Sequence, residues 1–154
     1  MVSMDRAVFR RCYAATVING ALNNNGYCIV VAAAQNLSTQ FGAGNLMTAF
    51  TFILQVACIS ATAINGAFLV RFTPRTRVWL ALGMLTLAYV LLASSTAFNS
   101  VIGFALALVA SILAGSAQSI GEVTNLAFMK EFPPSLLGAW GAGTGISGLA
   151  GPGT

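Results

Sequence analysis

The chain has 154 residues, of which 57% are hydrophobic and 6% charged, with a formal net charge of +4. Together with a strongly positive mean hydropathy, that balance excludes a soluble domain of ordinary composition, in which about a quarter of residues carry charge. It points to an integral membrane protein, and the absence of histidine excludes Ser-His-Asp hydrolase chemistry and histidine metal sites within this stretch.

At roughly 20 apolar residues per crossing, the length accommodates four complete membrane helices and the start of a fifth. The expected class is an all-α integral membrane bundle. The basic residues sit in short segments between apolar runs and form no patch, so topology explains them and nucleic acid is not an expected partner. Cys12, Cys28 and Cys58 lie within or beside apolar runs without metal-ligand spacing, and no metal or cofactor is expected.

Residues 1–11 read as a cytosolic tail carrying Arg6, Arg10 and Arg11, and residues 12–154 as the transmembrane bundle. The first span covers about 12–34. A cleaved signal peptide is the alternative, given the basic start and the small residues Ala32-Ala33-Ala34, but the apolar core is too long and asparagines interrupt it. Asn19, Asn23 and Gly26 share one helical face, and Gly20, Asn24 and Tyr27 the next. The linker Gln35 to Asn45 is uncharged and holds an N-glycosylation acceptor, Asn36-Leu37-Ser38.

The second span, 46–70, places Thr48, Thr51, Gln55 and Thr62 near helical period on one side. The segment 71–77 reads as a short basic loop in which Pro74 ends any continuing helix. The third span, 78–98, has so little polar content that it is expected to be the most lipid-exposed. After the turn Asn99-Ser100 comes the fourth span, 101–129. It presents Gln118, Glu122 and Asn125 on one face and a small-residue strip, Ser111, Gly115 and Ser119, for close helix contact. Pro133-Pro134 then breaks the chain before a glycine-rich fifth segment, 136–154, which reads as part of something longer.

Glu122 is the residue that most needs explaining. It lies about 12 Å along a helix from Lys130, at ~1.5 Å per residue, inside an otherwise uncharged apolar run. An ionised acid facing lipid there would cost at least ~2.5 kcal/mol, so it is expected to face protein, water or a ligand. The bland alternative is a protonated or hydrogen-bonded acid that fixes packing. All seven Lys and Arg residues fall in the N-terminal tail and the second and fourth connections, which predicts that those segments and the N terminus are cytosolic.

Three stretches carry a family resemblance. Asn23-Asn24 with Tyr27 and Ala33-Ala34 in the first span, Pro74-Arg75 before the third, and Gly121-Glu122-Val123-Thr124 followed by Trp140, Gly143-Thr144-Gly145 and Gly148-Leu149 resemble the battenin family in order. The resemblance implies a partial bundle like that of the major facilitator superfamily in a lysosomal or vacuolar membrane. It also implies export of a small polar solute, a glycerophosphodiester or basic amino acid, with effects on luminal pH. Two departures stand out: Gln35-Asn36 replaces a frequent His-Asp pair, and the family's second half is missing after Leu149. The segment Gly66 to Arg71 with Arg75 and Arg77 also resembles that superfamily's cytosolic signature, with Val70 where its acidic residue would fall.

Asn19, Asn23, Asn24, Gln118, Glu122 and Asn125 are therefore expected to face a common aqueous cavity, with Thr124 beside them in the motif and Glu122 carrying a proton. For the asparagines, interhelical hydrogen bonding is the competing role. The expected partners are the lipid bilayer, a small polar solute and protons. A non-transporting membrane scaffold is the alternative function. An enzyme is disfavoured, because Asp5 and Glu131 lie outside the spans and no second acid pairs with Glu122.

Overall fold

The computed structural model describes residues 5–40, 47–98 and 101–150. Five α-helices make up the bundle: α1 Arg6–Gln40, α2 Met47–Ala67, α3 Pro74–Ser95, α4 Val101–Met129 and α5 Pro134–Ala150, with one short 3₁₀ turn, Leu69–Arg71, after α2. The expected turn at Asn99-Ser100, residues 41–45 of the expected linker, and the last glycines of the fifth segment lie outside the described residues.

The expectation of four complete membrane helices plus a fifth begun is corrected. Among the described residues only three helices are long and apolar enough to cross a bilayer: Thr48–Ala67, Pro74–Ser95 and Val101–Met129. The physical reason differs at the two ends of the chain. In α1 the polar run Asn23-Asn24-Asn25, with Asn19 one turn before it, dilutes the apolar stretch that Ile29 to Ala33 would otherwise anchor. Of α5, 17 residues are described, fewer than the roughly 20 that a crossing takes at ~1.5 Å per residue.

Helix boundaries follow local chemistry. Residues 35–40 contain neither glycine nor proline, so α1 continues through them and Asn36 of the acceptor motif sits exposed on a helix rather than in a loop. Pro74 does not merely end a continuing helix but starts α3. Its missing N–H falls where no helical bond is needed, and the Thr73 hydroxyl accepts from the Thr76 amide at 3.3 Å as the N-cap.

The packing is built around α4, which lies against α2 on one side and α3 on another, while α1 pairs chiefly with α5. Small residues make this possible. Ala107, Ala110 and Ala114 of α4 are fully buried in a core with Val30, Phe50, Leu54, Ala88 and Leu92. A side-chain carbon at Gly115 would lie 2.5 Å from the Leu54 carbonyl oxygen, so α2 approaches α4 to backbone contact. One turn on, the Ser119 and Thr62 hydroxyls bond at 2.6 Å. The strip Ser111, Gly115, Ser119 thus faces α2, with Ser111 and Ser119 buried. In α3, only 22% of the apolar window is buried, the least of the three candidate spans, and Trp79 is 72% exposed.

The seven basic residues gather at one end of the bundle. Cys12 and Thr16, just after the arginines of α1, share a small pocket with Phe128 and Met129 at the end of α4, beside Lys130. Leu69 packs against Ala61, Ala81 and Ile120, which brings Arg71, Arg75 and Arg77 to that same end.

Candidate functional site

The polar residues of α1 converge on α4 and α5 because their positions, 19, 23 and 24, recur at close to one helical turn. Asn24 is the hub. The Gln118 amide donates to Asn24 Oδ1 at 2.9 Å. The Asn24 amide donates in turn to the Ser147 hydroxyl at 2.9 Å and the Thr144 carbonyl at 3.1 Å, so one side chain joins three helices. Asn23 donates to the Gln118 carbonyl at 3.4 Å. Nearer the basic end, Asn19 donates to Asn125 Oδ1 at 2.9 Å, and Asn125 donates to the Gly121 carbonyl at 2.8 Å.

Close helix approach depends on three glycines. A side-chain carbon at Gly121 would collide with Asn23 Oδ1, and one at Gly143 with the Val17 carbonyl oxygen. One at Gly20 would lie 2.5 Å from the Trp140 carbonyl oxygen. Gly145 and Gly148, in contrast, face open space.

These contacts leave a cleft of about 480 Å³ between α1, α4 and α5, walled by Asn23, Asn24, Gln118, Glu122, Trp140 and Thr144, with Gly141 and Gly145 on its α5 side. Glu122 is exposed there, and no hydrogen bond or ion pair engages it among the described residues. Its neighbours are otherwise committed. Gln118 Oε1 is the exception, buried without a partner among the described residues.

The six residues expected around one cavity therefore divide between two places. Asn23, Asn24, Gln118 and Glu122 line the cleft. Asn19 and Asn125 border a separate pocket of about 250 Å³ with Cys12, Phe128 and Leu136. Thr124 is buried, and its hydroxyl back-bonds to the Ile120 carbonyl at 2.6 Å. Tyr27 accepts from Gln55 at 3.2 Å, which links α1 to α2. Sequence reasoning missed Ser147, which is 3% exposed and bonded to Asn24. Its position three residues after Thr144 places both on one helical face, a signal that was available. It also missed Asn65, fully buried in α2 with neither amide atom partnered among the described residues.

No group of three or more His, Cys, Asp or Glu side chains among the described residues could hold a metal ion. Many large apolar side chains point outward, Val101, Ile59 and Trp79 among them at more than 70% exposure, as a lipid-facing surface requires.

A family profile described as CLN3 protein matches residues 14–154. The chain is 29% identical over 132 residues to Battenin of Dictyostelium discoideum, an alignment covering 86% of this chain and 30% of that protein. It is also 29% identical over 164 residues to Protein BTN1 of Cryptococcus neoformans, which covers 99% of this chain and 29% of that protein. The chain thus spans about 30% of the length of the curated relatives it matches. No solved structure matches it. With a family match across nearly its whole length and a lipid-facing apolar surface, the chain is a multi-pass membrane protein that belongs to the CLN3 protein family, the battenins.

Proposed function

We propose that this chain supplies the solute-binding part of a secondary transporter in a lysosomal or vacuolar membrane, with its N terminus in the cytosol. The cleft between α1, α4 and α5 takes a small polar solute, and Glu122 is its charged contact. One observation carries this reading: Glu122 is exposed in the cleft and unbonded, while the amides around it are held by other helices. An acid kept only for packing would be buried against a donor. A free carboxylate in an apolar helix instead calls for a cation, a proton or water.

The chemistry of the walls narrows the solute. Amide groups and one carboxylate line the cleft, with no basic side chain. A cationic group fits such a site, since Glu122 supplies the opposite charge and Gln118 Oε1 an unused acceptor. Basic amino acids and amine-bearing glycerophosphodiesters both present one. Exchange of that cation against a proton on Glu122 would couple transport to an acidic lumen.

The test is uptake by the full-length protein in proteoliposomes under a pH gradient, with arginine and glycerophosphocholine as solutes. Glu122→Gln is expected to abolish pH-dependent uptake while the protein stays folded. Undiminished pH-dependent uptake by that variant removes Glu122 from the mechanism.

A second reading, a non-transporting scaffold or regulatory protein of the lysosome or endosome, is favoured by a different observation. The amides of Asn19, Asn24 and Gln118 are engaged in helix-to-helix bonds and serve packing as they stand. Wild-type protein that moves neither solute yet retains specific cytosolic partners would support it.

A further inference from the structure

Away from that cleft, α2 and α3 diverge over α4 and leave an apolar groove of about 580 Å³, lined by Phe52, Val56, Ile64, Leu80, Met84 and Ile112 among others. From Phe52 to Ile64 the groove runs about 18 Å at ~1.5 Å per residue, close to one leaflet of a hydrocarbon core roughly 30 Å thick. One end of it is strongly basic. Leu69, in its wall, is followed by Arg71, Arg75 and Arg77.

Two buried polar groups at that end lack partners among the described residues. Arg77 precedes Leu80 and Met84 by one and two helical turns and shares their face. It is 8% exposed, and its Nε has no hydrogen-bond partner among the described residues. Asn65 follows the groove residue Ala61 by one turn and is 0% exposed, with both amide atoms unpaired. A guanidinium cannot shed its charge, and a buried cation without a counter-ion is strongly disfavoured. The chain's three carboxylates, Asp5, Glu122 and Glu131, all lie outside α2 and α3.

We propose that the groove between α2 and α3 binds one anionic glycerophospholipid, with an acyl chain along the apolar walls and the headgroup at Arg77 and Asn65. Arg71 and Arg75, both exposed, form the rim. The occupant must be apolar along one leaflet and anionic at one end, and it must accept hydrogen bonds at the depth of Arg77. Phosphatidylserine combines these features. Phosphatidylcholine of the same chains fills the groove equally well but leaves the cluster's positive charge uncompensated. This site is independent of the solute cleft.

The test is native mass spectrometry of the full-length protein released from nanodiscs containing equal amounts of phosphatidylserine and phosphatidylcholine with identical chains. One phosphatidylserine is expected to be retained at least about 25-fold over phosphatidylcholine, since each arginine near an anionic headgroup contributes a roughly fivefold preference and at least two of the three act on it. Arg75→Gln, an exposed change that does not threaten folding, is expected to cut the preference about fivefold. Arg77→Gln should do at least as much, and Ser60→Trp, which fills the groove, should remove the bound lipid. Equal retention of the two lipids overturns the proposal. So does a preference that survives Ser60→Trp, because the headgroup would then bind elsewhere. Cross-linking of Ser60→Cys to a further segment of the full-length protein, with no lipid retained, would show that protein covers the groove and would likewise overturn it.

Discussion

Gln118 of α4 donates through its side-chain amide to Asn24 Oδ1 of α1 at 2.9 Å, and the Asn24 amide donates onward to Ser147 of α5. This relay holds together the three helices that wall the Glu122 cleft. Such bonds are commonly worth ~0.6 to 2 kcal/mol in membranes. Asn24→Ala removes links to both α4 and α5 and is expected to destabilise the protein by about 1–2 kcal/mol. A double-mutant cycle with Gln118→Leu should give a coupling of about 0.6 kcal/mol or more, measured by reversible unfolding in mixed micelles. Additivity of the two changes would mean that the bond carries no energy.

The glycines of α5 separate by role. A methyl group at Gly143 would strike the backbone of Val17 and Ala21, and backbone gives way poorly, so Gly143→Ala is expected to cost about 1–3 kcal/mol by forcing α1 and α5 apart. Gly148→Ala meets open space and is expected to be neutral or to stabilise by up to ~1 kcal/mol through helix propensity. Thermal unfolding of the pair compares them directly, and an equal response would contradict the close packing of α1 on α5.

The exposure of position 122 can be read chemically. With Cys12, Cys28 and Cys58 replaced by serine or alanine, Glu122→Cys is expected to react rapidly with a membrane-impermeant thiol reagent in unsealed membranes. Thr124→Cys should resist, because Thr124 is 2% exposed and packed into the bundle. Equal labelling of both positions would place Glu122 in a packed interface.

Much of this site was legible because α4 writes its two faces at clean helical spacing. Gln118 and Glu122 mark the cleft side, while Ser111, Gly115 and Ser119 mark the side laid against α2. The glycines of α5 read only as a family motif, and their packing role, Gly143 against Val17 of α1 and Gly20 of α1 against Trp140, emerges from the contacts themselves. Other features depended on information that spacing does not carry. The asparagines of α1 identify a polar face, but only the third dimension assigns Asn19 to Asn125 and Asn24 to Gln118, which splits one expected cavity into two. Pro74 read as the end of a helix because its effect depends on which side of a helix start it falls, and Thr73 decides that by capping. The burial of Asn65 and Arg77 is a property of the folded bundle, and neither residue is unusual in its own segment.

Topology offers an independent check. All seven basic residues gather at one end of the bundle, so an epitope placed before Arg6 and one inserted between Phe72 and Thr73 are expected to be accessible from the same, cytosolic, side of intact vacuoles or lysosomes. Opposite accessibility would break the shared orientation of those two segments.

The central claim, that the cleft is a solute site read by Glu122, is tested most directly by solute protection at its α5 wall. Gly145 lines the cleft and has open space beside it, so Gly145→Cys in a protein without its native cysteines provides a reporter that leaves the acid intact. Arginine or glycerophosphocholine is expected to slow its labelling by an aqueous thiol reagent, and Glu122→Gln is expected to abolish that protection. Labelling that neither solute slows, or protection that persists without the carboxylate, would contradict the account.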